Sequence, residues 1–342
     1  WQRDGLPGAA HPVPPEAPSN GCGWPAAFAI DTAADWSSGY YSLRLAAEDG
    51  SEQAEAFVVV RPPGPRARIL FVLATTTWNA YNTFGGASTY AASGTEYAGG
   101  IHAASFLRPM AKGFLRKPPG FDGRLATPAG VVDKSLPYFA DAVAAGVDPW
   151  SASAGWSNWE QPFAAWLEDN GLAVDYAVSE DLERVPGLLD GYRLMLSVGH
   201  DEYWSAGMRD AVESFVDAGG NVAFFSGNVA FWQVRLEDDA QRMIAWKANW
   251  REDPVLGTAD EHRLTGLWSH RLVGRPENQM TGLSFSRGGY ARLAGATPRS
   301  AGGYTVYRPR HWAFEGTDLG YADLFGGEAA IVGYEGDGCA LR

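Results

Sequence analysis

The chain has 342 residues, and 46% of them are hydrophobic, which predicts a folded protein with a sizeable core rather than a disordered one. Its formal net charge is −13 at neutral pH. This charge argues against nucleic acid and anionic membrane surfaces as partners, because both bind through basic patches. The sequence has no apolar run long enough to cross a membrane, so membrane insertion is not expected.

Residues 1–65 are predicted to form a Pro- and Gly-rich tail followed by a β-hairpin. Residues 1–25 show no periodicity, whereas residues 36–45 and 54–60 alternate between apolar and polar side chains. A single hairpin is not stable alone. We therefore expect it to be the end of a truncated β-sandwich domain or to pack on the main domain, which we assign to residues 66–342.

The main domain is predicted to contain a parallel sheet. Residues 67–74 form a continuous apolar run, which is typical of a central parallel strand. Shorter strands are predicted at 174–178, 194–198 and 221–225, with a helix at 160–170 and another ending at Gly219-Gly220. Strands that alternate with helices indicate an α/β fold with crossover connections.

The other segments give weaker signals. The polar and aromatic stretch 75–86 is expected to be a loop, and residues 87–159 have little periodicity. A helical region is predicted from Asn228 to about Asn249, followed by strands and turns rich in Gly. Because Trp1 is not a natural start and the chain stops abruptly at Arg342, we expect the chain to be a fragment of a longer protein. The expected macromolecular partners are the rest of that protein or further copies in a homo-oligomer.

The chemically richest stretch follows the predicted strand 194–198. His200, Asp201 and Glu202 stand where ligands bind in open α/β sheets, namely at the carboxyl end of a buried strand. The same residues are also typical of a helix N-terminus, with Asp201 or Ser205 as the N-cap. Spacing alone leaves a functional site and a cap equally supported.

Three other groups are candidates. Asn228 follows a strand and can donate a hydrogen bond into a site, although a Gly turn with an Asn cap is the favoured interpretation of this segment. Glu335 follows another apolar run, and a surface charge is the alternative there. Tyrosines occur in the first loops at Tyr81, Tyr90 and Tyr97. A tyrosine is an unusual metal ligand, because its proton has a pKa of about 10, and only a hard, highly charged cation such as Fe(III) favours phenolate oxygen.

The two cysteines, Cys22 and Cys339, lie near opposite ends of the chain. A disulfide between them is possible in principle but is not determined by the sequence. Neither cysteine lies in a strand–turn–helix context, so a cysteine nucleophile or a thiolate zinc site is not expected.

A series of short motifs resembles the C-terminal catalytic region of the large (β) subunit of N,N-dimethylformamidase, from about Trp24 onward. Each motif is weak by itself, and their order along one chain makes the set more specific. The motifs are Cys22–Pro25, Asp35–Gly39, the junction of Phe57–Pro62 with Ile69–Leu73, Thr77–Asn82, Gly199–Ser205, His311–Thr317 and Val332–Asp337.

The resemblance implies a class I glutamine-amidotransferase-like fold, a flavodoxin-like three-layer α/β domain without the cysteine nucleophile. It also implies a mononuclear Fe(III) held by two tyrosinates and one glutamate. By motif, Tyr81 corresponds to the first tyrosine and Glu202 to the glutamate. For the second tyrosine we favour Tyr97, with Tyr90 as the alternative.

The implied activity is metal-dependent hydrolysis of the C–N bond of a small, formamide-like amide. His200 and Glu335 are expected to be catalytic, as a general base or as donors of a proton to the leaving amine. Asp201 departs from the family's His-Pro-Glu motif and has no assigned role. The residues expected to line the substrate pocket are Trp78, Phe84, Trp204 and Asn228.

Other classes of function also fit parts of the sequence. Fourteen Trp residues suit a non-catalytic carbohydrate- or ligand-binding domain on the same scaffold. A metal-independent hydrolase using His200 with Ser226 or Ser205 has less support, because the Gly-x-Ser-x-Gly elbow is absent. A purely structural domain of a larger cell-surface protein is the third alternative.

Overall fold

A four-stranded parallel sheet forms the centre of the fold. The computed structural model describes residues 4–6, 8–33, 35–50, 53–91, 100–121, 142–290, 303–327, 331 and 335–339. The strands are β1 (Gly39–Ala46), β2 (Gln53–Val60), β3 (Ile69–Leu73), β4 (Ala103–Ser105), β5 (Asp175–Val178), β6 (Leu194–Val198), β7 (Tyr203–Ser205), β8 (Asn221–Phe225), β9 (Trp232–Glu237), β10 (Arg242–Ile244), β11 (Ser284–Tyr290), β12 (Tyr304–Thr305), β13 (Leu324–Phe325) and β14 (Glu335–Gly338).

The helices are mostly short. The α-helices are α1 (Ala17–Asn20), α2 (Thr75–Tyr81), α3 (Glu160–Asp169), α4 (Asp181–Arg184), α5 (Ala206–Asp217) and α6 (Asn278–Thr281). The 3-10 helices are Pro149–Ala152, Lys247–Glu252, Glu261–Arg263 and Trp312–Phe314. Within the described residues, no helix is long and apolar enough to cross a membrane.

The parallel sheet has the order β5-β3-β6-β8, which confirms the predicted α/β class with its parallel sheet. Alternate side chains of β3 enter two separate cores, because successive residues of a strand point to opposite faces. Phe71 and Leu73 pack on the side of α3, while Leu70 and Val72 pack on the side of α5. The sheet is therefore covered by a helix on each face.

A second four-stranded sheet, in the order β4-β10-β9-β7, replaces the helical region predicted from Asn228 to Asn249. That prediction was wrong. Trp232, Val234 and Leu236 alternate with polar residues, which is the two-residue period of a strand. Residues 238–240 then turn the chain with left-handed backbone angles of 55–59°. The fold is thus α/β with additional antiparallel pairing.

Helix α2 occupies residues that the sequence predicted to be a loop. Its three threonines are poor helix formers because their β-branched side chains are restricted. Their hydroxyls, however, bond to neighbouring strand ends: Thr76 Oγ1 donates to the carbonyl of Tyr203 at 2.8 Å, and Thr75 Oγ1 lies 3.1 Å from Ser179 Oγ. Tertiary hydrogen bonds therefore stabilise a helix that local propensity disfavours.

The predicted N-terminal hairpin is confirmed as β1 paired with β2 in antiparallel register. It packs against the main core, since the ring of Tyr40 stacks on Trp156 at 3.9 Å and Phe57 contacts Trp78 at 5.5 Å. The division at residue 65 stays a prediction. Cys22 is buried and Cys339 is exposed, and both are free thiols.

Candidate functional site

The candidate site lies at the carboxyl ends of β3, β6 and β8. Helix α2 follows β3 and ends at Tyr81, the turn after β6 carries Glu202, and the turn after β8 carries Asn228. Parallel strands place their carboxyl ends at one edge of the sheet, so residues far apart in sequence meet there.

The Glu202 carboxylate is the centre of this site and accepts four hydrogen bonds. Tyr81 and Tyr90 both donate to Oε2, at 3.0 and 2.9 Å. Asn228 Nδ2 and Trp232 Nε1 donate to Oε1, at 3.1 and 2.8 Å. Glu202 is only 3% exposed, so these donors replace the water that its carboxylate would otherwise bind.

The turn that presents Glu202 is held from two sides. Thr77 Oγ1 in α2 accepts hydrogen bonds from the backbone N–H groups of Glu202 and Tyr203. Asp201 points into the fold, where its carboxylate accepts hydrogen bonds from Ser197 Oγ at 2.6 Å and Trp204 Nε1 at 2.9 Å. Asp201 is therefore fully paired and stabilises the turn, while the helix N-cap is Ser205.

Tyr90 reaches the site on the loop after α2, and the buried Arg108 ties that loop to the helix. The Arg108 guanidinium donates to the carbonyl oxygens of Phe84 at 2.7 Å, Ala87 at 3.0 Å and Asn79 at 3.3 Å. A cation at the carboxyl end of α2 also complements the helix dipole. As a result, the rings of Tyr81 and Tyr90 stack with their centroids 4.3 Å apart.

A third tyrosine and a lysine extend the site. The Tyr203 hydroxyl donates to the Tyr90 hydroxyl at 2.5 Å, and Lys247 Nζ donates to the Tyr203 hydroxyl at 3.1 Å. The ammonium also lies 3.3 Å from the centre of the Tyr90 ring, within cation–π distance. Burial lowers the pKa of Lys247 to about 7, against the opposing effect of the Glu202 charge.

His200 lies between two carboxylates. Its Nε2 lies 3.0 Å from Glu335 Oε2 and 3.4 Å from Glu202 Oε2, which are ion-pair distances. Nε2 makes no well-aligned hydrogen bond to a described residue. Its Nδ1 is 2.9 Å from the carbonyl oxygen of Ser153. Both ring nitrogens thus face acceptors, which favours the doubly protonated ring. Burial alone lowers the pKa of His200, but the two carboxylates outweigh it and raise that pKa to about 10.

Strand β14 brings Glu335 to the site and is anchored beside it. Asp337 accepts hydrogen bonds from the backbone N–H groups of Asn228 at 2.8 Å and Val229 at 3.2 Å. Asn228 has a left-handed φ of 56°, and its Nδ2 also lies 3.3 Å from Glu335 Oε1. A side chain on Gly227 would lie 2.3 Å from the Glu335 carbonyl oxygen, so only glycine permits this approach.

Burial raises the pKa of both Tyr81 and Tyr90 well above 10, and the negative charge of Glu202 raises it further. Burial likewise raises the pKa of Glu202, while the charges of His200 and Lys247 oppose the increase. Both phenols are therefore neutral at pH 7, and Glu202 holds its proton more strongly than a carboxyl group in water does. A bound cation would instead lower the pKa of these groups, because such an ion is often the largest local charge in its site.

The comparison with known families agrees with the motifs. The sequence profile described as N,N-dimethylformamidase beta subunit-like, C-terminal, matches residues 1–342. The chain belongs to this family. Similar proteins include the N,N-dimethylformamidase beta subunits of Alcaligenes sp and Paracoccus aminophilus, each 28% identical over 200 residues. That stretch is 53% of this chain but 25% of each relative, so the similarity spans a quarter of those proteins.

Of the site residues predicted from the sequence, five converge in the structure. The residues that meet are Tyr81, His200, Glu202, Asn228 and Glu335. Tyr97, the favoured second tyrosine, lies outside the described residues, so its assignment stays a prediction. Tyr90, the alternative, lies within hydrogen-bond distance of Glu202.

Three of the residues predicted to line the substrate pocket make other contacts. Trp78 is fully buried and donates its indole hydrogen to Glu160, and Trp204 is 1% exposed and bonds to Asp201. Phe84 contacts the ring of Trp24. In the structure, the half-buried Trp232 is the tryptophan that touches Glu202.

Sequence reasoning gave no role to Tyr203, Trp232, Lys247 or Asp337. Trp232 and Lys247 fall in the region that was predicted to be helical. The alternation of apolar and polar residues that begins at Trp232 is the signal that could have placed it on a strand. Tyr203 directly follows Glu202, and its position in the same turn was the available signal. Nothing in the local sequence points to Lys247, and Asp337 was noted only as the last residue of the Val332–Asp337 motif.

Among the described residues, no three His, Cys, Asp or Glu side chains are placed to hold a metal ion. A donor set that includes tyrosine is present, however. The phenol oxygens of Tyr81 and Tyr90 lie 3.0 and 2.9 Å from the same Glu202 oxygen. Two ligand atoms that each lie about 2 Å from a small cation, at right angles to one another, are about 2.9 Å apart. Each phenol oxygen and Glu202 Oε2 therefore have the spacing of two neighbouring ligands. Phenolate and carboxylate oxygens are hard donors, so these side chains, once ionised, would suit Fe(III).

Proposed function

We propose that this chain carries the active site of a hydrolase that cleaves the C–N bond of a small, formamide-like amide, with an iron ion held by Tyr81, Tyr90 and Glu202. The observation that carries the proposal is the convergence of two phenol oxygens on one carboxylate oxygen in a buried site. Membership of the family supports the reaction class, and the names of the two relatives support the substrate class.

The scaffold we propose is of the glutamine-amidotransferase type. The parallel sheet with one helix on each face supports it, as does the turn after β8, which carries Ser226 rather than a cysteine. Such a scaffold presents functional groups at the carboxyl edge of its sheet. Here that edge would present metal ligands instead of a thiol.

When bound, Fe(III) would supply Lewis-acid polarisation of the amide carbonyl. Tyr81, Tyr90 and Glu202 would bind it as anions, and the net charge of that group would then be close to neutral, which suits a neutral amide substrate. Burial of all three side chains excludes water from their side of the site.

His200 and Glu335 supply the proton transfers. His200 faces acceptors at both nitrogens, so it is arranged as a proton donor and would pass a proton to the leaving amine. Glu335 is paired with the same ring and is the nearer of its two carboxylates, so it would accept a proton from the attacking water. Asn228 bonds to both Glu202 and Glu335 and holds the metal-binding and acid–base groups together.

Metal analysis and absorption spectroscopy of the purified protein test this proposal. Iron bound to tyrosinate gives a visible charge-transfer band, so we expect stoichiometric iron and a coloured protein. Tyr81→Phe and Tyr90→Phe should each lose most of the colour and weaken iron binding. Tyr192→Phe is the matched control, because its hydroxyl bonds to Asp175, which belongs to a different cluster.

Iron at full occupancy without a visible band would refute the tyrosinate ligands. A colourless, metal-free protein that binds glycans would instead favour the non-catalytic binding domain. Release of amine from a formamide, followed over time with the iron-loaded protein, completes the test of the reaction class.

A further inference from the structure

Tyr203 is the third tyrosine of the described part of the site, and its hydroxyl bonds to another tyrosine. Its side chain is fully buried, and the hydroxyl donates to Tyr90 at 2.5 Å. The ring lies edge-on to the rings of Tyr81 and Tyr90, with both centroids 6.4 Å away. The hydroxyl and the ring therefore make separate contacts.

The hydrogen bonds around Tyr203 run in one direction. An ammonium group can only donate, so Lys247 Nζ donates a hydrogen bond to the Tyr203 oxygen at 3.1 Å. Tyr203 in turn donates to Tyr90, and Tyr90 donates to Glu202 Oε2 at 2.9 Å. Hydrogen bonds in such a chain polarise one another, and each strengthens the next.

The two tyrosines beside Glu202 consequently have different surroundings. The Tyr90 oxygen accepts a hydrogen bond from Tyr203, and its ring lies under the Lys247 ammonium at 3.3 Å. Tyr81 instead has His200 beside its ring, with centroids 5.4 Å apart. A donated hydrogen bond stabilises an oxygen anion more than a neutral hydroxyl, so the polarised chain acts most directly on Tyr90.

We propose that Tyr203 is a positioning residue that holds the Tyr90 oxygen against Glu202 and makes Tyr90 the weaker electron donor of the two tyrosine ligands. The proposal rests on the proposed iron site. Tyr203 does not bind the metal itself. Its hydroxyl fixes the orientation of Tyr90, and Lys247 fixes the orientation of that hydroxyl.

The test compares Tyr203→Phe with wild-type protein, both loaded with Fe(III). The substitution removes one hydroxyl and keeps the buried ring. Loss of the hydrogen bond to a tyrosinate makes it a stronger electron donor, so the visible band should move to longer wavelength. Iron affinity should fall by about 10–100-fold, as is usual when a partner of a metal ligand is removed.

Tyr40→Phe is the matched control. Tyr40 is a partly buried tyrosine that packs against the main core, and its hydroxyl has no hydrogen-bond partner among the described residues. It should change neither the band nor the affinity. A merely structural role of Tyr203 would lower the thermal unfolding midpoint of the metal-free protein but leave the band where it is in the wild type.

A second variant covers the case in which Tyr203→Phe does not fold. Lys247→Met removes the donor that orients Tyr203, and its band should move in the same direction by a smaller amount. A coloured wild type together with an unshifted band and unchanged affinity in the folded variants would overturn the role of Tyr203 alone. An iron-loaded wild type without a visible band would overturn both this role and the proposed iron site.

Discussion

Glu160 offers a sharp test of the electrostatics behind the site. It lies at the start of α3 with no exposed surface, and its Oε1 accepts a hydrogen bond from Trp78 Nε1 at 2.9 Å. Its Oε2 has no hydrogen-bond partner among the described residues. Burial raises the pKa of Glu160 to about 8, so the folded protein holds it as a neutral acid at pH 7.

This increase determines how stability depends on pH. Above about pH 4.5 the carboxyl group of Glu160 has lost its proton in the unfolded state, whereas the folded state still binds that proton. The contribution of this proton to the free energy of unfolding is therefore complete below about pH 4.5, and it is lost as the pH rises through about 8. At about 1.4 kcal/mol for each pH unit between these values, ionisation of Glu160 lowers the free energy of unfolding by at most about 5 kcal/mol.

Glu160→Gln should remove this dependence, because glutamine has a similar shape and does not ionise. Urea denaturation followed by Trp fluorescence at pH 5 to 9 would measure it. The stability of the variant relative to wild type should rise between pH 5 and 9. Glu168→Gln is the control, since Glu168 lies on the same helix and is exposed. Parallel pH profiles for wild type and Glu160→Gln would refute the reasoning.

Further predictions concern the site itself. His200→Gln and Glu335→Gln should each lower kcat by about 100-fold or more while iron remains bound, which metal analysis beside the activity assay would show. Gly227→Ala should lower kcat by about 100-fold, because the added carbon displaces the backbone of Glu335, whereas Gly64→Ala, which has open space around it, should not. Tyr97→Phe should keep both iron and colour if Tyr90 is the second tyrosine, and loss of either would restore Tyr97 as the ligand.

The parallel sheet was predictable because its strands are continuous apolar runs. Buried parallel strands are covered on both faces, so Ile69–Leu73 and Leu194–Val198 carry their own signal. The β9–β10 hairpin was missed because its apolar residues also fit a helix over a short window. Helix α2 was missed for a different reason, namely that its threonine hydroxyls bond to residues more than 100 positions away.

The site was predictable where its residues follow a strand directly. Glu202 and His200 stand after β6, and their position alone marked them as candidates. Lys247 and Asp337 do not directly follow a strand of the parallel sheet, so their positions did not mark them as candidates. Lys247 begins a 3-10 helix after a hairpin, and Asp337 lies in the strand β14. Their contacts with Tyr203 and with the Asn228 backbone exist only once the chain has folded.

The sequence by itself determined the α/β class, the family and the candidate residues Tyr81, His200 and Glu202, because strand ends and motifs are local properties of the chain. Only the tertiary structure decided that Tyr90 meets Glu202 and that Asp201 turns inward to Ser197. Those outcomes depend on which hydrogen-bond donors and acceptors the folded chain brings within about 3 Å, and residues distant in sequence supply them.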